Sequence, residues 1–214
     1  MYIPSSFRVE DAAKIAAFIR HYSFATLITD DGGAPGAPFA SHLPMLYHPE
    51  NGGHGSLLSH MARANPQWQH FVSGREALVV FQGPHSYISP SWYQAEVAVP
   101  TWNYAVVHAY GVPKVFSDHD RVVSLLGELV AAYESAFERP WPGNLPNEYR
   151  DKMIQGIVAF EIPITRIEGK FKLGQNRPAA DTQSVFDALS RSADADSQAL
   201  ARLMLTECNV HETT

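Results

Sequence analysis

A basic residue stands where a strand is predicted to give way to a helix, in the segment SHMARANPQW, residues 59–68. Asn65 and Pro66 predict the start of that helix, with a side-chain cap followed by a proline in the first turn. The first amides of a helix carry a partial positive charge, and Arg63 would add a full charge with a forked set of donors. Together they predict a site for the single phosphate of a small cofactor. The alternative is that Arg63 pairs with a surface carboxylate and that Trp68 lies in the core.

Aromatic side chains are dense between residues 87 and 104, in the sequence YISPSWYQAEVAVPTWNY. Tyrosine and tryptophan faces stack on planar rings, while nearby amides and hydroxyls fix the orientation of a ligand. The segment therefore predicts a pocket for a flat conjugated ligand. A dimer interface or an apolar core is rich in the same residue types, and this is the alternative.

A third cluster of polar side chains follows the end of a predicted strand in KFKLGQNRP, residues 170–178, and contains Lys170, Lys172, Gln175, Asn176 and Arg177. The two lysines share one face of a regular strand. The cluster predicts donors for a phosphate or for the carbonyl oxygens of a ring. The alternative is an edge strand protected by its lysines.

Metal and hydrolase chemistry are not indicated by the motifs. His42, His48, His54 and His60 are evenly spaced, but they cross two predicted loops and so do not share one face of one element. There is no H-E-x-x-H pattern, and Cys208 is the single cysteine, so no metal site is expected. The G-x-S-x-G motif of serine hydrolases is also missing from the sequence.

The elements that would position these residues follow from the apolar periodicity. Helices are predicted over 9–22 and 122–137, the second capped by Ser117 or Asp118, and two short helices led by Asp181 and Asp194 end the chain. Extended segments are predicted as a hairpin over 24–45 that turns at Gly32, Gly33 and Gly36, and at 55–60, 77–81, 102–116 and 156–173, where Pro163 interrupts the run. This pattern predicts an α+β protein built on an antiparallel barrel or curled sheet.

Composition sets wider limits on function. The chain has 214 residues, of which 45% are hydrophobic, so it can bury a full core, most simply as one domain. The formal net charge of −6 argues against a large basic surface for nucleic acid. No apolar run reaches the length of a membrane span, and acidic residues interrupt the N-terminal segment MYIPSSFRVEDAAK, so a cytoplasmic protein is expected.

Three phrases of the sequence, taken together, resemble the PaiB family of FMN-binding negative transcriptional regulators: HMARANPQW, FQGPHSYISPSWY with VPTWNYAVVHAYG, and IEGKFKLGQNR. The resemblance begins at MYIPSSF, includes SHLPM at residues 41–45 and extends to about Arg177. It implies an antiparallel split β-barrel with peripheral helices over residues 1–178, related to pyridoxamine phosphate oxidases and flavin reductases. Residues 179–214 would form a helical extension packed on the same domain. The family also implies a homodimer with FMN at the subunit interface.

Residue roles follow from the resemblance by position. It implies that Arg63 and Asn65 bind the flavin phosphate, that His60 and Met61 lie beside the ring, that Trp102 and Asn103 form the pocket wall, and that Gln175, Asn176 and Arg177 close the site from the other subunit. Family members often have serine where this chain has Gly174, so that hydroxyl donor is lost here.

The function expected from the resemblance is a flavin-dependent redox or sensing role, in which the cofactor supplies the chemistry and the protein supplies orientation and electrostatics. No side chain then has to transfer a proton; if one does, His60 or His108 is the better candidate, because imidazole titrates near neutral pH. One alternative is a repressor that contacts DNA directly, although no helix-turn-helix with a basic recognition helix is found. A second alternative is a haem-binding split barrel with a histidine ligand.

Overall fold

A computed structural model describes residues 1–30 and 37–212 of the chain. The strands of these residues are β1 (Arg8–Val9), β2 (Phe24–Thr29), β3 (Phe39–Pro44), β4 (Leu46–His48), β5 (Ser56–Ala62), β6 (Ala77–Ile88), β7 (Thr101–Gly111), β8 (Lys114–Phe116) and β9 (Ile157–Lys172). The α-helices are α1 (Ala12–His21), α2 (His119–Glu134), α3 (Asn147–Ile154), α4 (Ala179–Ser190) and α5 (Ala195–Glu207). Short 3₁₀-helices span Ser5–Phe7, Pro66–Ser73 and Pro90–Trp92.

The strands form one sheet in the order β3-β2-β6-β7-β9-β5-β4, and β1 and β8 also pair with β9. Antiparallel pairing joins β2 to β3 and β6, β4 to β5, and β9 to β1, β5 and β8. The predicted hairpin is confirmed by the ladder between β2 and β3, in which Phe24 faces Pro44 and Thr29 faces Phe39. The turn predicted at Gly32, Gly33 and Gly36 lies outside the described residues.

The chain forms two compact units. The terminal unit consists of Met1–Phe18, Gln82–Val107 and Glu168–Thr214, and the central unit of Ile19–Phe81 and His108–Ile167. β6, β7 and β9 each contribute residues to both units, because the unit boundaries fall inside these strands.

The terminal unit packs helices α1, α4 and α5 around apolar strand residues. Phe18 of α1 lies against Phe171 of β9, with ring centroids 5.0 Å apart. The prediction of two final helices is confirmed, and Asp194 caps α5 by accepting the backbone N–H of Ser197 at 2.8 Å. α4 starts earlier than expected: its first residue follows Pro178, whose fixed φ suits a helix entry, so Asp181 lies in the first turn instead of at the cap.

The central unit is built on the ladder between β5 and β9, which runs from Ser56 opposite Pro163 to Ala62 opposite Ile157. The predicted interruption at Pro163 is wrong, because β9 continues through it for 16 residues. Pro163 stands at the last pair of this ladder, and the next residue, Ile164, donates its N–H to the carbonyl of Gly55 at 3.0 Å. A missing N–H is tolerated at such a ladder end.

Helix α2 covers one face of this ladder. It begins as predicted after Asp118, whose side chain accepts the backbone N–H of Arg121 at 2.9 Å. Leu125 and Leu129 of the helix pack against Leu58 of β5 and Ala159 of β9. This packing fixes the register of the β5–β9 ladder, at whose end the predicted phosphate-binding residues stand.

Candidate functional site

The residues predicted to bind the cofactor fall into two groups, one in each unit. The central unit holds His60, Met61, Arg63 and Asn65, and the terminal unit holds Trp102, Asn103, Gln175, Asn176 and Arg177. The members of each group lie in the same unit, but the structure turns His60 and Met61, and likewise Trp102 and Asn103, to opposite faces of their strands.

Arg63 is fixed at the end of the β5–β9 ladder. Its backbone N–H donates to the carbonyl of Gly156 at 2.8 Å, one residue beyond the last strand pair. Its guanidinium donates from Nε to the carbonyl of Gln155 at 2.8 Å and from Nη2 to the carbonyl of Ile157 at 2.7 Å. The side chain is exposed, and no carboxylate among the described residues pairs with it. Backbone carbonyls carry no full charge, so the positive charge and the other N–H groups of Arg63 remain available to an anion.

Asn65 caps the helix that follows, as the sequence predicts. Its Oδ1 accepts the backbone N–H of Gln67 at 3.0 Å, and its Nδ2 donates to Oγ of Ser41 at 2.8 Å. The helix is a 3₁₀-helix with Pro66 at its first position. Pro66 has no N–H, and the N–H of Gln67 already donates to the side chain of Asn65. The first two positions of the helix therefore offer no free amide to an anion. Arg63 therefore carries most of the predicted phosphate site.

His60 and Met61 point to opposite faces of β5. Met61 is buried, with 2% of its surface exposed. His60 is half-buried, and its Nδ1 has no hydrogen-bond partner among the described residues although that atom is shielded from solvent. A buried polar atom without a partner costs free energy, so this ring nitrogen is a candidate for contact with a ligand. Burial also lowers the pKa of His60 from its usual 6.5, so the ring is neutral at pH 7.

Gln67 is a buried residue of this region that the motif analysis missed. It has none of its surface exposed, and its Nε2 donates to the carbonyl of Leu27, to Oγ1 of Thr29 and to the carbonyl of Phe39 at 3.0–3.1 Å. These bonds tie the 3₁₀-helix to the β2–β3 hairpin. They hold the segment after Arg63 in place, although nothing in a single Asn-Pro-Gln sequence marks the glutamine as buried.

In the terminal unit, β7 sets the positions of Trp102 and Asn103 by simple alternation. Asn103 is buried, with 3% of its surface exposed, whereas Trp102 points to the other face and is 54% exposed. The Trp102 side of the strands forms part of a pocket of about 330 Å³, lined by Gln82, His85, Trp102, Tyr104, Ala105 and Val106. Of the aromatic residues in the segment 87–104, Trp102 and Tyr104 line this pocket, whereas Tyr87, Trp92 and Tyr93 are not among its lining residues.

Gln82 and His85 were not predicted as wall residues from the sequence. The reason is that the alternation of buried and exposed residues shifts by one position within β6. Gly83 and Pro84 are both buried, so Gln82 and His85 come to lie on the same side although they are three residues apart. A β-bulge, in which one strand carries an extra residue, shifts the alternation in this way. Glycine and proline within a strand are a sequence signal for a bulge.

The segment after β9 has mixed roles. The amide of Gln175 is hydrogen bonded to the backbone at both of its polar atoms. Its Oε1 accepts from the N–H of Leu173 at 2.8 Å, and its Nε2 donates to the carbonyl of Phe171 at 2.7 Å. Asn176 is exposed. The guanidinium carbon of Arg177 lies 4.5 Å from the centroid of the Tyr93 ring, a cation–π contact. Gln175 thus shapes the turn that presents Asn176 and Arg177.

Gly174 has a φ of +91°, in the region that L-residues with a side chain rarely adopt. The glycine at this position therefore serves the backbone of the turn. A serine here would have to change that backbone conformation.

Comparison with known proteins identifies the family. Residues 1–166 match the model of the family described as "Putative FMN-binding domain". The chain belongs to this family. The match identifies FMN as its cofactor, and it agrees with the buried unpaired nitrogen, free cation and aromatic pocket described above. The chain is also 36% identical over 206 residues to "Protease synthase and sporulation protein PAI 2" of Bacillus subtilis, which covers 95% of this chain and 96% of that protein. The resemblance to the PaiB family is thereby confirmed.

More distant matches are found both by sequence and by structure. An uncharacterized protein of Emericella nidulans is 27% identical over 201 residues, covering 77% of this chain and 80% of its own. Among solved structures, the flavocytochrome Anf3 of Azotobacter vinelandii aligns with a TM-score of 0.57 at 14% identity, over 78% of this chain and 70% of that one. A FAD and haem binding protein of Mycobacterium smegmatis aligns with a TM-score of 0.56 at 15% identity, over 78% of this chain and 74% of that one. The predicted antiparallel split barrel of the α+β class is confirmed.

Residues 1–30 and 37–212 offer neither a metal site nor a membrane-spanning helix. This part of the chain contains no group of three or more histidine, cysteine, aspartate or glutamate side chains that could hold a metal ion. None of its helices has the length and apolarity needed to cross a membrane.

The buried ring of His60 predicts a pH dependence of stability. The pKa of His60 is lower in the folded state than its unfolded value of 6.5. The contribution of His60 to the free energy of unfolding is therefore fully present above pH 6.5, and it is lost as the pH falls through the folded-state pKa. The free energy of unfolding, measured by urea denaturation at about pH 7.5 and about pH 5.5, should therefore fall less in His60→Gln than in the wild type. His54→Gln, in an exposed loop, is the matched control and should behave as the wild type does. Equal losses in the wild type and His60→Gln would contradict the assignment.

Proposed function

We propose that this FMN-binding split-barrel protein acts through a flavin-dependent redox or sensing role, with the phosphate of FMN held by Arg63. The observation that carries the proposal is the guanidinium of Arg63, which is oriented by the carbonyls of Gln155 and Ile157 and has no carboxylate partner among the described residues. A fixed, unpaired guanidinium at the edge of a fold is a suitable receptor for a phosphate dianion.

The other predicted residues have definable tasks in this proposal. Asn65 holds the segment after Arg63 by capping the 3₁₀-helix and bonding Ser41. His60, neutral and with an unpaired Nδ1, can hydrogen bond to a polar edge of the ring. FMN, when bound, supplies a ring that accepts and donates hydride or electrons. The side chains bind it, orient it and exclude water.

A homodimer with FMN between two copies is the second part of the proposal. In it, Trp102, Asn176 and Arg177 of the second copy would complete the site, with Gln175 shaping the turn and Asn103, buried on the other face of β7, supporting the wall from behind. The terminal unit leaves Val97 87%, Val99 66% and Trp102 54% exposed. Exposed apolar side chains that are close together in the sequence favour an interface or a ligand site.

Control of gene expression, in this proposal, is indirect. A net charge of −6 disfavours direct contact with DNA phosphates. The single cysteine, Cys208, is consistent with the reducing environment of a cytoplasmic protein. A protein that senses or changes a small molecule through its flavin needs no basic surface, and this favours the redox role over direct repression.

The role of Arg63 is tested by comparing FMN with riboflavin, which lacks the phosphate. Arg63→Met should weaken FMN binding by about 10- to 100-fold, the value of a charged hydrogen bond, and leave riboflavin binding nearly unchanged. Quenching of flavin fluorescence measures both affinities, and Arg139→Met, an exposed residue of the same unit, is the control. Equal losses for both flavins would indicate a structural defect, and no loss of FMN affinity would refute the phosphate assignment.

The redox role is tested with the FMN-loaded wild-type protein. Addition of NADH or NADPH without oxygen should bleach the visible flavin absorbance faster than it bleaches the same concentration of free FMN, because the protein orients the ring and its reductant. Rates equal to that of free FMN with both nucleotides would contradict nicotinamide-dependent reduction.

A further inference from the structure

A histidine forms part of the wall of the pocket in the terminal unit. The residues that line this pocket are Gln82, His85, Trp102, Tyr104, Ala105 and Val106. Of these residue types, histidine is the one that gains and loses a proton near neutral pH. The ring of His85 lies 6.1 Å from that of Trp102 at an interplanar angle of 32°, so the imidazole and the indole form one continuous wall.

The imidazole of His85 has one shielded edge and one exposed edge. Its Nδ1 is shielded from solvent, has no hydrogen-bond partner among the described residues, and lies 3.6 Å from Oδ2 of Asp196. The side chain as a whole is 42% exposed, so the exposed edge is the opposite one, which carries Nε2. A carboxylate facing Nδ1 favours the tautomer with its proton on that nitrogen, which leaves Nε2 as the proton acceptor.

The position of Asp196 beside the imidazole is set by the packing of α5 on β6. The residues that directly follow the two members of the pair, Ser86 and Ser197, are joined by a buried hydrogen bond of 3.0 Å between their hydroxyl groups. Ser197 also donates its N–H and its hydroxyl to the carboxylate of Asp194, each at 2.8 Å. Strand and helix are therefore tied together at the point where the carboxylate meets the imidazole.

A second carboxylate from the start of α5 is close to the same imidazole. Hydrogen bonds from Ser197 lower the pKa of Asp194, and the charge of His85 lowers it further. Asp194 is therefore ionised at neutral pH. Together with Asp196 it offers a counter-charge to an imidazolium at this place.

Two cations of β9 contact other residues of the pocket wall. Nζ of Lys172 donates to the backbone carbonyl of Trp102, and Nζ of Lys170 lies 5.1 Å from the ring centroid of Tyr104. Neither lysine is among the lining residues. A change of positive charge at the pocket surface near neutral pH therefore falls to His85.

A reduced flavin in this pocket would bring a negative charge to the exposed edge of the imidazole. FMN that accepts a hydride from a reduced nicotinamide gains two electrons and one proton, and thus one negative charge. An imidazolium would then have an anion on each side, the ring at its Nε2 edge and Asp196 at its Nδ1 edge. Beside the neutral, oxidised ring it has only the carboxylates. Charge attraction therefore links reduction of the ring to protonation of the imidazole.

We propose that His85, positioned by Asp196, takes up one proton from solvent when the flavin is reduced and releases it when the flavin is oxidised again. The ring gains one negative charge and the imidazole one positive charge, so the net charge of the site does not change. The inference rests on the proposal that the Trp102 pocket receives the flavin ring. It also gives a role to α5, which lies beyond the residues 1–166 that match the family model.

The coupling is measured as the midpoint potential of protein-bound FMN, titrated without oxygen at a series of pH values. One additional proton for two electrons favours reduced FMN by a further tenfold for each unit of decreasing pH, which corresponds to about 30 mV. The wild type should show this additional slope in the neutral range, and His85→Gln should lose it. The affinity for oxidised FMN, measured by fluorescence quenching, should stay nearly the same, because the oxidised ring carries no charge that His85 has to balance.

A second variant tests the positioning role of the carboxylate. Asp196→Asn keeps the imidazole but removes a counter-charge, so the additional slope should appear at lower pH than in the wild type. Asp196→Glu, which restores the charge, should bring the profile back in part. His211→Gln, an exposed histidine of the same unit, is the matched control and should have the wild-type profile.

Equal slopes in the wild type and His85→Gln would overturn the inference, and so would an unchanged profile in Asp196→Asn. An equal loss of affinity for oxidised and reduced FMN in His85→Gln would show a structural role and would count against it as well. If the slopes agree while FMN still binds through Arg63, the proposed function stands without this inference. A wild-type protein that binds no FMN would contradict the proposed function and this inference together.

Discussion

The guanidinium of Arg63 is held by the carbonyls of Gln155 and Ile157, at the point where β9 begins. The candidate phosphate site depends on this interaction, because it fixes a full positive charge without neutralising it. A carboxylate partner would have cancelled the charge, and free solvent would have left the side chain in many rotamers. The β5–β9 ladder places these carbonyls beside Arg63, and α2 packs on that ladder through Leu125 and Leu129.

The terminal unit also holds positively charged side chains with neutral acceptors. There, Lys170 and Lys172 are held by backbone and hydroxyl oxygens, and their charges are again left without a carboxylate partner in the described residues. Arg63, Lys170 and Lys172 are thus positioned by neutral acceptors, although other cations of both units are paired with carboxylates. The exposed ring of Trp102 adds a surface on which a planar group such as a flavin ring can stack.

Local chemistry explains which features could be predicted from sequence. The cap at Asn65 follows from residue type, and it agrees with the structure. The predicted break at Pro163 failed because a missing N–H matters only where the ladder needs a donor, and that depends on pairing. His85 was not predicted, since its position depends on a shift of alternation at Gly83 and Pro84. The partners of Arg63 lie more than ninety residues away along the chain, which no local pattern can show.

A crystal structure of the FMN complex tests the central claim most directly. We expect a phosphate oxygen at about 2.7–2.9 Å from a guanidinium nitrogen of Arg63, the distance of a charge-assisted hydrogen bond, with the carbonyl contacts of that side chain retained. The same structure should show Trp102 and Arg177 of a second copy at the flavin. A phosphate bound elsewhere, with Arg63 contacting only Gln155 and Ile157, would contradict the account.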